Sequence, residues 1–120
     1  MNCNDKIIKL LECVDHAEDN EIEWKSMYIE LFYSTEIQDG QIGYSIDLDG
    51  QKLTSDKEGD WRAEWVVIGL DSYVGDPVFV DMNDIHCPVY TVQHGEGFWE
   101  PIRIADSVEE MIKEFKKITK

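Results

Sequence analysis

The sequence predicts an α+β fold: a mainly antiparallel sheet of about six strands, with an N-terminal and a C-terminal helix packed on it. Three observations lead there. Apolar residues near each end recur at helical spacing, the stretch between holds runs rich in β-branched and aromatic residues, and short turn sequences separate those runs. At 120 residues and 14.0 kDa the chain has the size of one ordinary domain, expected to span residues 1–120.

The first helix follows from Ile7, Leu10, Leu11 and Val14, which fall on one face behind Asn4 or Asp5 as N-cap. The acidic tract HAEDNEIE (16–23) offers no apolar anchor before Ile22 and reads as an exposed loop. Two strands are then expected: SMYIELFYS (26–34), and QIGYSIDLDG (41–50), in which Ile42, Tyr44, Ile46 and Leu48 alternate. A hairpin through TEIQDG (35–40) would join them. The polar stretch 49–60 reads as a solvent loop. EWVVIGL (64–70) and VFVDM (78–82), joined through Gly75-Asp76-Pro77, read as the centre of the sheet because their apolar runs suit strands covered on both faces. PVYTVQ (88–93) and FWEPIRI (98–104) supply two more strands, and Pro101 assigns the last to an edge or a bulge. Val108, Met111, Ile112, Phe115 and Ile118 then repeat at helical spacing behind Asp106 or Ser107 as N-cap.

Charge narrows the function. Asp and Glu total 26 against 11 Lys and Arg, a formal charge of -15. Such a surface repels phosphate backbones and anionic lipid, which argues against nucleic-acid and membrane partners and favours a basic protein partner. The longest uninterrupted apolar run, Trp65 to Ile68, is far too short to span a bilayer. Cys3, Cys13 and Cys87 form an odd set without a paired framework, and with no apolar signal segment ahead of them the expected address is cytoplasmic.

The stretch HGEGFWEP (94–101) concentrates reactive groups. His94 and Glu96 would share a face of a strand, and His86, Cys87, Asp81 and Asp84 lie nearby in sequence. Adjacent His86 and Cys87 would point apart, however, and no pair has the i, i+3 or i, i+4 spacing of a helical metal site. No metal and no cofactor is expected. Asp76, Asp81, Glu96 and Glu100 raise the possibility of a carboxylate-based hydrolase, but acids are so abundant that their proximity in sequence says little. A nuclease of this charge would also repel its substrate. Cys87 beside His86 is read as a small buried residue rather than a nucleophile. Of the tryptophans, Trp65 is expected in the core and Trp99 on an exposed or interfacial surface, with Trp61, Trp65 and Trp99 as possible pocket walls.

In order, WVVIGLDSYVGDPVFVDM, PVYTVQHGEGFWEP and IADSVEEMI resemble the SUKH superfamily, which joins fungal regulators of cell-wall synthesis to bacterial toxin-immunity proteins. The matching positions are Trp65, Ile68 and Gly69, Gly75 to Pro77, Pro88 to Tyr90, His94 to Gly97, Trp99 to Pro101 and Ala105 to Ser107. The resemblance runs from about Trp61 to Phe115, and the first 60 residues lack the family's Leu-Pro and Asn-Gly signals. It implies a non-catalytic binding domain, in bacteria an antidote that occupies a toxin of nuclease or deaminase type. HGEGFWEP would then be a strand connection. A cationic toxin surface also suits an acidic antidote, with Asp76, Asp81, Asp84, Glu96 and Glu100 as the expected contact carboxylates and Phe98 and Trp99 as apolar contacts. The alternatives are a regulatory or scaffolding module without a toxin partner, and the hydrolase.

Overall fold

Each helix buries the stripe its spacing announces. In the computed structural model, which describes residues 3–25, 27–55, 57, 60–92 and 101–118, α1 (Cys3–Asp15) buries Cys3, Ile7, Leu10 and Val14. The second helix, α2 (Val108–Ile118), buries Val108, Met111, Ile112 and Phe115. One buried position on α1 is charged. Lys6 places its ammonium 2.8 Å from a Glu109 carboxylate oxygen on α2 and donates to the Ile85 carbonyl at 3.2 Å, so the ion leaves water with both a counter-charge and an acceptor.

Six strands follow the order of the chain: β1 (Glu21–Trp24), β2 (Met27–Leu31), β3 (Trp65–Asp71), β4 (Pro77–Asp81), β5 (Val89–Thr91) and β6 (Ile102–Ala105). Every neighbouring pair is antiparallel, so the sheet is a simple meander with β3 and β4 at its centre and β6 at an edge, where Pro101 precedes it. The sheet curls. The indole of Trp24 on β1 donates to the Ile104 carbonyl on β6 at 2.8 Å, tying one edge strand to the other.

Strand alternation sorts the side chains onto two faces. Ile22, Trp24, Ile29, Leu31, Ile68, Val78, Val80, Val89 and Ala105 pack with both helices in the main core. Alternation puts Val66 and Ile68 on this face and Val67 on the other, and a register shift between Val67 and Gly69 then sets Gly69 opposite Val78, on the main-core face as well. There Trp61, Val67, Phe79 and Val92 form a second core, with Phe32, Tyr44, Trp65 and Tyr90 packed against it. The segment between β2 and β3 thus crosses the outer face of the central strands.

Two expected strand assignments change. The end of the tract read as a loop (16–23) belongs to β1, whose Ile22 and Trp24 are buried while Glu21 and Glu23 face out. Residues 41–50, read as a strand, instead leave a short 3-10 turn (Asp39–Gln41) as a series of tight turns, with isolated bridges from Ile46 to Ile42 and Lys52. Gly43 sits at φ +92, a conformation closed to most side chains. The reason lies in Gln41. Its amide donates to the Val67 carbonyl at 2.8 Å and accepts from the Val67 N–H at 2.8 Å, taking both ladder groups that a neighbouring strand would use there.

The cysteines also depart from expectation. Cys3 at the start of α1 and Cys87 before β5 form a disulfide across 84 residues, with Cα atoms 5.2 Å apart, and Cys13 remains free. The bridge lies at a junction, because the Cys87 carbonyl accepts from the Val108 N–H at the start of α2. Trp65, expected in the core, is half-buried, and the fully enclosed indole is Trp61.

Candidate functional site

The outer face is covered over its centre and open over β1 and β2. Glu21, Glu23, Tyr28 and Glu30 project there, each exposed. The register sets Glu21 directly opposite Glu30, an arrangement of like charges that disfavours the pairing of the two strands. The same cross-strand row continues from Glu30 to Leu70 on β3 and then to Pro77 on β4. Neighbouring strands lie about 4.8 Å apart, so about 10 Å separates Glu21 from Leu70.

At Leu70 the row meets an open cavity of about 410 Å³. Phe32, Tyr44 and Ile42 line it together with Leu70, and Glu36, Asp39 and the glycines at 40 and 75 complete it. Its construction is local. The chain turns at 33–36, where a Glu36 carboxylate oxygen accepts from the Tyr33 N–H at 3.0 Å, and again at 36–40, where the Gly40 N–H donates to the Glu36 carbonyl. Tyr44 rests against the enclosed Trp61, ring centroids 5.2 Å apart. Burial, and after it the negative charge of Asp76, raises the Tyr44 phenol above its ordinary pKa. The site therefore combines aromatic surface, two carboxylates and a phenol. That set suits a cation.

Two exposed features adjoin it. Tyr73 on the β3–β4 turn packs edge-on against Tyr28, centroids 5.7 Å apart, and Val74 beside it is also exposed. The turn itself is held by Asp71, whose carboxylate accepts from the N–H groups of Tyr73 and Val74.

The carboxylates expected to meet a partner do not all converge. Asp76 immediately precedes β4 and Asp81 ends it, roughly 17 Å apart at about 3.3 Å per residue. Asp76 belongs to the neighbourhood of Tyr44. Asp81 and Asp84 instead cap successive turns of the β4–β5 loop, accepting from the N–H groups of Asn83 and His86 at 2.9 Å each. Glu96, Phe98, Trp99 and Glu100, along with His94, lie outside the described residues. His86 is exposed, and the disulfide occupies the Cys87 sulfur. Among the described residues no three His, Cys, Asp or Glu side chains gather as a metal set.

Sequence reasoning missed Glu21, Glu30, Glu36, Asp39 and Phe32. A signal existed for the first two: EIEW and MYIEL alternate polar and apolar positions, which puts each glutamate on the face opposite the isoleucines. The cavity had none, since its walls come from segments 38 residues apart, Phe32 and Leu70.

No protein-family model matches the chain, and neither a curated protein nor a solved structure does.

Proposed function

We propose that the protein is a non-catalytic binding domain that takes a basic protein partner on the open, acidic part of its outer sheet face. The observation that carries this reading is the row from Glu21 through Glu30 to the cavity at Leu70, Glu36 and Asp39. Opposed carboxylates cost stability in the free protein and are relieved when a cation settles between them, so a basic partner gains what the strand pair loses. The charge of -15 extends the attraction beyond contact distance.

The order of motifs from Trp65 to Ser107, which resembles the SUKH superfamily, supports reading this partner as a polymorphic toxin of nuclease or deaminase type, neutralised by the protein acting as its immunity partner in the cytoplasm. A nuclease surface that binds phosphate is cationic, and an acidic domain seated on it excludes the nucleic acid. No helix among the described residues is long and apolar enough to cross a membrane. The test is to look beside the gene for an encoded toxin domain and to co-express the two. Growth is expected to be restored, with a stoichiometric complex on gel filtration. Continued killing at equal expression, with the two proteins eluting separately, would overturn the immunity reading.

A further inference from the structure

We infer that the cavity between Phe32, Tyr44 and Leu70 receives an arginine side chain of the basic partner. This rests on the proposed function and specifies its contact. The cavity volume, about 410 Å³, lies within the roughly 300–1,000 Å³ range of sites that enclose small ligands, and a guanidinium on its stem fits it. Its walls provide what a guanidinium uses and an ammonium uses less well: flat aromatic surface from Phe32 and Tyr44, with carboxylates from Glu36 and Asp39 to accept a planar fork of donors.

Shape is set before the partner arrives. The Phe32 ring is pressed against the backbone at Gly40, where a Cβ would lie 2.1 Å from the ring, so the ring and the 36–40 turn hold one another in place. The Tyr33 N–H fixes the Glu36 carboxylate. Tyr44 is backed by Trp61, itself 1% exposed. A site whose walls are already fixed loses little freedom on binding. Beyond the cavity mouth, Glu30 and Glu21 continue the negative row along which further basic residues of the same segment can lie.

The experiment titrates hexa-arginine amide and hexa-lysine amide into the isotopically labelled full chain at low salt, following backbone amide shifts. Hexa-arginine is expected to bind several-fold more tightly than hexa-lysine and to shift Gly40, Ile42 and Gly75 most. Glu36→Gln with Asp39→Asn, which keeps shape and removes charge, is expected to weaken hexa-arginine by about tenfold, the loss of one charge-assisted hydrogen bond or more. Phe32→Leu should erase the preference for arginine while leaving hexa-lysine binding in place. Equal binding of both peptides by the unaltered protein, with shifts spread over β1 and β2 and none at Gly40 or Ile42, would overturn the arginine site and leave the acidic face standing. No binding of either peptide would overturn both.

Discussion

Trp61→Ala is expected to destabilise the protein by about 3–5 kcal/mol, the usual cost of truncating an enclosed aromatic residue. The ring lies within 4.7 to 5.2 Å, centroid to centroid, of Phe79, Trp65 and Tyr44, and its N–H donates to the Trp65 carbonyl at 3.3 Å. It is the anchor that holds the segment between β2 and β3 against the central strands. Removing it opens a void under Tyr44 and strips Phe79 of one of its ring contacts, so the loss reaches both stability and the cavity. Whole domains hold only about 5–15 kcal/mol, which makes the variant marginal. Trp65→Ala should cost less, because that ring is half-buried. Equilibrium urea unfolding followed by circular dichroism checks both. A Trp61→Ala midpoint equal to that of the unaltered protein would mean the segment is held by something other than this cluster.

Reducing the Cys3–Cys87 disulfide is expected to lower stability by about 2–4 kcal/mol and the Tm by roughly 10 °C. The effect is large because the closed loop is long: the bridge spans 84 residues, and the unfolded chain loses more freedom the longer the loop it closes. The bridge also fastens α1 to the loop whose Cys87 carbonyl receives the first N–H of α2, next to the Lys6–Glu109 ion pair. In a cytosol that keeps thiols reduced, the packing of the two helices has to hold this corner without the covalent tie. Thermal unfolding with and without dithiothreitol, repeated on Cys3→Ala, measures the contribution. The alanine variant should melt at the lower temperature and ignore the reductant. A reductant-insensitive Tm in the unaltered protein, with three thiols free to alkylate in the unfolded chain, would show that no bridge forms.

Both helices and five of the six strands, all but β1, were legible because their apolar spacing reports directly on burial. Val108, Met111, Ile112 and Phe115 read as one face and are one face. Two failures share a physical cause. Residues 42–48 alternate as a strand does, yet alternation records which side chains seek cover and says nothing about whether a ladder partner is available. Gln41 had already taken the backbone groups of Val67. Conversely β1 does alternate, but over four residues with two inward side chains, Ile22 and Trp24, and the acidic run around it outweighed so short a period. The disulfide and the cavity were invisible for a different reason: each joins residues far apart in the chain, and local pattern carries no information about them. Of the carboxylates expected from the sequence to meet a partner, Asp76 alone among those described falls beside the cavity, while Asp81 and Asp84 are spent on turn geometry.

The most direct test is the association rate of the protein with the proposed toxin partner, measured as ionic strength rises from about 0.01 M to 0.15 M, which shortens the screening length from roughly 30 Å to 8 Å. The on-rate is expected to fall steeply while the off-rate changes little, and Glu30→Lys is expected to slow association at low salt. An on-rate indifferent to both salt and Glu30→Lys would contradict recognition through the acidic face.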